Sequence, residues 1–170
     1  TDAFSCLGTT LKLAGSEDNF RQVDLVYNLA FAEACRNKGV TRFFLLSAMG
    51  ANAQSRFFYN RTKGELEDAV NALGFQELAI FRPSLLLGKH PHRTIENLAQ
   101  TAYQMLKPIV PKKLPVRPIE AERVAMAMAL VANNWHIMHT YQKSANRPET
   151  THKCQIVSNS EMLNMTRFRA

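Results

Sequence analysis

At 170 residues, 46% hydrophobic and with a formal charge of +7, the chain can build one core that buries roughly two thirds of the surface its unfolded form exposes. No apolar run approaches the ~20 residues that span a bilayer, and the first residues lack the basic-then-apolar pattern of a signal peptide, so a cytoplasmic protein with no membrane association is expected. The positive charge suits phosphate-bearing ligands, but it is spread along the chain rather than gathered in one stripe, which disfavours nucleic acid as a partner.

The chain opens within two residues on a strand-like run, Ala3-Phe4-Ser5-Cys6-Leu7, which leaves through Gly8-Thr9-Thr10, a small and polar exit suited to a strand end that touches a ligand. Ser16 is a candidate N-cap. Behind it Phe20, Val23, Tyr27, Phe31 and Ala34 recur at helical spacing, so residues 17 to 38 are predicted to form an amphipathic helix closed by Gly39. The continuous run Phe43-Phe44-Leu45-Leu46 then reads as a strand covered on both faces, ending on Ser47. A second helix is expected from Tyr59 to about Leu73, with Leu66, Ala69, Val70 and Leu73 inward, followed by a strand Leu78-Ala79-Ile80-Phe81 that Arg82-Pro83 terminates. Alternating strands and helices with short joins indicate βαβ units around a parallel sheet.

Past Leu85-Leu86-Leu87-Gly88 comes a basic loop, Lys89 to Arg93, then a helix carrying Ile95, Leu98, Ala99, Ala102, Met105 and Leu106. The stretch Lys107 to Pro118 holds four prolines and four basic residues and reads as an extended connector. Residues 120 to 132 are expected as a helix with Val124, Ala125, Met128 and Val131 inward, residues 133–152 as an irregular loop, Cys154 to Val157 as a last strand, and Asn159-Ser160 as the cap of a final helix. The cysteines Cys6, Cys35 and Cys154 are odd in number and far apart, which argues for reduced, buried thiols.

The chemistry centres on Phe43 to Lys63. Tyr59 and Lys63, four residues apart on a helix, share a face. A phenol of pKa about 10 exchanges protons poorly at neutral pH, and a neighbouring ammonium lowers it, so the pair can serve as general acid toward a carbonyl or base toward an alcohol. Ser47, at the end of the preceding strand, could hold the same oxygen. Spacing alone is weak: Tyr103 and Lys107 repeat it, on a helix that runs into Pro108 with no strand ending in Ser before it. His90, His92, His136, His139 and His152 lack the paired spacing and acidic neighbour of a zinc motif, so no metal site is expected.

The segments Cys6 to Thr10, Leu45 to Ala51, Phe57 to Glu67 and Phe81 to Gly88, in that order, resemble the atypical short-chain dehydrogenase/reductases, in particular the subgroup of bacterial NAD(P)H-binding proteins and Tat-interacting tumour-suppressor oxidoreductases. The likeness covers roughly residues 1–132 and, more weakly, 156–163. It implies an α/β fold with a doubly wound, Rossmann-like parallel sheet and an NAD(P)-dependent oxidoreductase acting on a small-molecule carbonyl or alcohol, as a monomer or homodimer. It also implies NADP(H) as cofactor, with NAD as the alternative. By the same resemblance Tyr59 is the proton donor or acceptor, Lys63 lowers its pKa and binds the nicotinamide ribose, and Ser47 matches the family serine. Leu7, Gly8 and Thr9 lie against the cofactor, while Leu86 and Arg93 match positions that line its nicotinamide or phosphate end.

One departure is large. The glycine-rich turn that lays the pyrophosphate on a helix N-terminus in the family is missing from these residues. The first strand matches a later strand of the family, so the sheet is expected to be incomplete at its N-terminal side, as in a fragment or truncated product, with poor dinucleotide affinity and an exposed sheet edge. Two other functions share the pocket: a non-catalytic NADP(H)-binding sensor or interaction protein, and a sugar-nucleotide epimerase-like enzyme.

Overall fold

Four parallel strands lie side by side in the order β1 (Asp2–Ser5), β2 (Arg42–Leu46), β3 (Glu77–Arg82) and β6 (Lys153–Ser158). They belong to a computed structural model that describes residues 1–87, 117–144 and 153–167. The predicted basic loop, the helix from Ile95 to Leu106 with Tyr103, and residues 107–116 of the connector lie outside the described residues. A short parallel pair, β4 (Leu86–Leu87) and β5 (Ile119–Glu120), stands apart from the main sheet.

The alternation of side chains along each strand divides the core in two. Phe43 and Leu45 of β2 and Leu78 and Ile80 of β3 point to one face, where Leu66, Val70, Phe75, Leu25 and Ala32 cover them. Phe44, Ala79 and Phe81 point to the other, where Val124, Ala127, Met128, Val131, Trp135, Val157 and Met162 pack. Both faces of the central strands are therefore dry, as their unbroken apolar runs require. The architecture is the expected α/β, doubly wound, Rossmann-like one.

A short α1 (Leu11–Ala14) follows β1, and on the first face lie α2 (Glu17–Arg21), a π-helical turn (Gln22–Tyr27) and α3 (Asn28–Asn37), which run on from one another, and α4 (Phe58–Ala72). Ser16 caps α2 as predicted, its hydroxyl accepting the Asn19 N–H at 3.1 Å, and Gly39 follows α3 with a positive φ of 79°. The inward face differs from the one the spacing predicts. Phe20 is buried, but beyond it Asp24, Asn28 and Ala32 are buried and Cys35 is half-buried, while Tyr27 and Phe31 are exposed. Asp24 rather than Val23 follows Phe20 inward at ordinary i+4 spacing, and beyond it each inward position has moved one residue along from Tyr27, Phe31 and Ala34. The π turn is the cause: it takes in one extra residue, worth about 100° at 3.6 residues per turn.

On the second face α5 (Ala121–Ser144) continues well beyond the predicted end at residue 132, so residues 133 to 144 are helix rather than irregular loop, and residues 145–152 lie outside the described ones. Trp135 extends the apolar period of Val124, Met128 and Val131, and its ring sits 5.3 Å from that of Phe44. Asn133, Asn134 and His136 are the solvent side of the same helix, and their polarity is what made the stretch look like a loop. Ala125 is exposed, with Ala127 taking the inward place. The last helix, α6 (Asn159–Met165), starts from Ser158 rather than Asn159, through a capping box with Glu161. The cysteines are free but not buried as expected: Cys6 and Cys154 are exposed and Cys35 is half-buried, because Cys6 follows Ser5 on the outward side of the β1 alternation.

Candidate functional site

The carboxyl ends of β1, β2 and β3 meet at one edge of the sheet, the place where open α/β folds bind ligands. Leaving β1, the chain passes through Leu7, Gly8 and Thr9 directly over the π turn. Asp24 of the turn and Asn28 at the start of α3 hold it there. The Asn28 amide donates to the Leu7 carbonyl at 3.3 Å and to the Val23 carbonyl at 3.1 Å, while its oxygen accepts the Ser5 hydroxyl at 2.6 Å. The Asp24 carboxylate accepts the Thr9 N–H at 2.8 Å. A Cβ on Gly8 would stand 3.2 Å from Asp24 Oδ1 and 3.8 Å from Lys63 Nζ, so glycine is what lets the loop lie this close.

Helix α4 supplies the other half. Tyr59, Lys63 and Glu67 form a stripe one turn apart along it. Lys63 is buried, and its ammonium lies 2.6 Å from the equally buried Asp24 Oδ1. The half-buried Tyr59 packs its ring 5.5 Å from that of Phe20. Burial pushes the Tyr59 phenol above its ordinary value; the Lys63 charge lowers it and the Asp24 charge raises it again. The net direction is therefore upward, against the lowering expected from Lys63 alone. Placing a charge partner within reach does not lower a phenol pKa when that partner is already paired with a carboxylate and the ring is shielded from water.

A turn further along α4, Ser47 and Arg82 converge on Glu67. The Ser47 hydroxyl donates to Glu67 Oε1, and the Arg82 guanidinium holds both carboxylate oxygens, its Nε at 3.0 Å from Oε1 and its Nη2 on Oε2. Ser47 thus marks the end of β2 as predicted, and its proton goes to Glu67. The loop between β2 and α4 is pinned to the helix: Asn60 Nδ2 donates to the Gly50 carbonyl at 2.6 Å, and the Asn52 N–H donates to the Asn60 carbonyl at 3.0 Å. A Cβ on Gly64 would stand 2.1 Å from Ala53 N and 2.2 Å from the Asn52 carbonyl carbon, which makes this the tightest approach at the site.

Of the residues singled out from the sequence, Gly8, Thr9, Tyr59 and Lys63 come together, with Leu7 held at the rim by Asn28. Ser47 belongs to the neighbouring Glu67 cluster. Leu86 packs against the core on the opposite face of the sheet, and Arg93 lies outside the described residues. Asp24 and Asn28 were not anticipated. Their only sequence signal is a polar pair four residues apart inside an otherwise apolar helical stretch. Among the described residues no group of three or more His, Cys, Asp and Glu side chains could hold a metal ion, and no helix is long and apolar enough to cross a membrane.

No family model matches the chain. It is 50% identical over 86 residues, 51% of its own length and 38% of the relative's, to the protein FMP52-2, mitochondrial, of Scheffersomyces stipitis. It is 42% identical over 122 residues, covering 71% of this chain and 53% of the relative, to the protein FMP52, mitochondrial, of Candida albicans. The rat protein HTATIP2 is 46% identical over 84 residues, 49% of this chain and 34% of the relative. The matches thus span about half, or less, of the length of these relatives. Among solved structures, MoeE5 in complex with UDP-glucuronic acid and NAD superimposes with a TM-score of 0.60 at 12% identity, over 98% of this chain and 62% of that one, which shows a shared Rossmann-like fold. The designation of the fungal relatives overturns the cytoplasmic expectation. Composition could not have decided the matter, since a basic, half-apolar chain with few cysteines suits more than one reducing compartment.

Proposed function

We propose that this chain belongs to a mitochondrial NAD(P)-dependent oxidoreductase of the atypical short-chain dehydrogenase/reductase type, reducing a small-molecule carbonyl or oxidising an alcohol. The observation that carries the reading is the convergence of Tyr59 and Lys63 with the Gly8 loop at the carboxyl edge of a parallel sheet. Residues for the nicotinamide end of a dinucleotide fit in part: Gly8 provides a close approach that a side chain would fill, with Thr9 and Leu7 beside it, and Lys63 would hold a ribose hydroxyl. The pyrophosphate end has no counterpart, because the chain carries no glycine-rich turn. When bound, the dinucleotide supplies or accepts the hydride. NADP(H) is the proposed form, favoured by the charge of +7, with NAD as the alternative.

Tyr59 does the proton work. Its phenol, pushed up by burial, keeps its proton at neutral pH and is a weaker acid than a free phenol, so it gives the proton only to an oxygen as basic as the alkoxide that forms when a carbonyl is reduced; in the oxidative direction a proton returns to it. Lys63 holds the charge beside it. Ser47 donates its proton to Glu67 and so fixes the end of β2; a part at the substrate oxygen would take that proton from Glu67.

A second reading, a non-catalytic NADP(H)-binding sensor or interaction protein, draws support from the commitment of Lys63 to Asp24. An epimerase-like enzyme on a sugar nucleotide would use the same groups, and the likeness to MoeE5 does not favour it, since only the fold is shared. NADPH oxidation is to be measured with a panel of aldehydes and ketones, on this chain and on the chain joined to an upstream glycine-rich βαβ half. Turnover should fall by roughly 10²- to 10⁴-fold in Tyr59→Phe with cofactor affinity retained. Unchanged turnover in that variant would refute Tyr59 as the acid, and tight binding with no turnover on any substrate would favour the sensor.

A further inference from the structure

Asp24 is the point at which three elements meet. It sits on the π turn, only 1% exposed. One carboxylate oxygen lies 2.6 Å from Lys63 Nζ on α4, and the other accepts the Thr9 N–H at 2.8 Å from the loop after β1. Gly8 leaves just enough room for this, since its missing Cβ would crowd Oδ1 at 3.2 Å. The backbone irregularity serves the same end. Asp24, one turn after the buried Phe20, lies within the π turn, whose extra residue brings Asn28 inward beside it to hold the Leu7 carbonyl, and single π turns often mark functional positions.

We propose that Asp24 is a positioning residue that locks the Lys63 ammonium to the Leu7–Thr9 loop, making the loop and the Tyr59–Lys63 pair one mechanical unit. The inference rests on the reading of Tyr59 and Lys63 as the acid pair. A rigid carboxylate with one partner on each oxygen transmits displacement: a ligand that shifts the loop shifts Lys63, and loss of Lys63 frees the loop although the two are not bonded to each other. The charged groups acting on Tyr59 are Lys63 from its own helix and Asp24 from the π turn. Leu7, Gly8 and Thr9 bring no charge, and α2 contributes the Phe20 ring.

Two cofactor-free measurements test the lock. The first is amide hydrogen exchange at Thr9 in Lys63→Met. Exchange should rise roughly tenfold while the β2 and β3 amides keep the parent rate; a parent-like rate at Thr9 would overturn the proposal. The second is ultraviolet difference titration of the tyrosines, with Tyr59→Phe identifying the Tyr59 step. In Asp24→Asn, which keeps an acceptor for Thr9 and removes the charge, the Tyr59 midpoint should fall by roughly one pH unit. No movement, or a rise, would also overturn it. Should either variant fail to fold, Gly8→Ala crowds the same carboxylate and should raise Thr9 exchange and lower the midpoint in the same directions; parent values for both would be decisive against the lock. Neither measurement uses turnover. A failure of the oxidoreductase reading, seen as unchanged turnover in Tyr59→Phe, is therefore distinguishable from a failure of the lock.

Discussion

Two acid–base pairs stand one turn apart on α4, and they are built for different tasks. Lys63 with Asp24 is enclosed, its side chains 6% and 1% exposed, and it adjoins the Tyr59 ring. Glu67 with Arg82 opens toward solvent on the guanidinium side, where Arg82 is 29% exposed, and its carboxylate also takes the Ser47 hydroxyl. The first has one carboxylate oxygen per partner and holds its lysine as a compact point charge. The second is a fork-to-fork clamp tying α4 to the ends of β2 and β3. The shielded pair can tune a neighbouring phenol because little water screens it; the clamp fixes geometry.

The largest effect on this contrast should come from the residue between the pairs. In Gly64→Ala the new methyl meets backbone of Asn52 and Ala53, which cannot swing aside. A loss of about 3 kcal/mol is expected, the upper end of overpacking costs, read as a fall in Tm of roughly 6–12 °C. An unchanged Tm would mean that the 47–57 loop yields, and that α4 does not hold the two pairs at a fixed spacing.

Next is Glu67→Gln. Losing the carboxylate leaves Arg82 without its counter-ion and should cost about 2 kcal/mol, less than a fully buried pair because the guanidinium is partly solvated. The Tyr59 titration should not move. A shift there comparable to that of Asp24→Asn would erase the distinction between clamp and tuned pair.

The smallest effect is on stability at alkaline pH. A folded-state pKa raised above the unfolded value means that the folded chain keeps a proton the unfolded chain gives up, so stability is fully present below the unfolded value of about 10 and is lost as pH rises through the folded one. Tyr59→Phe should therefore flatten the alkaline limb of a Tm-against-pH curve relative to the parent and leave the curve at pH 6–8 parallel to it. An alkaline limb as steep as the parent's would show that Tyr59 ionises as readily in the fold as out of it.

Much of this arrangement could be read in advance. The runs Phe43 to Leu46 and Leu78 to Phe81 announced strands covered on both faces, because only a doubly covered strand tolerates consecutive large apolar side chains. Tyr59 and Lys63 were visible because i and i+4 on a helix share a face whatever surrounds them. The stretch from Asn133 to Ser144 is helix although its sequence is mostly polar, and among its side chains described as far as Ile137 Trp135 is the buried one.

What the residues determined by themselves is local and periodic: the alternation of strands and helices, the cap at Ser16, the stops at Gly39 and Pro83, and the Tyr59–Lys63–Glu67 stripe. Which charge answers which was decided only by tertiary structure. Asp24 and Lys63 are 39 positions apart, and they meet because two helices pack side by side on one face of the sheet and Gly8 lets a loop settle over the pair. Helical periodicity assumes a constant number of residues per turn, so it cannot foresee a π turn that moves the inward face from Tyr27 to Asn28.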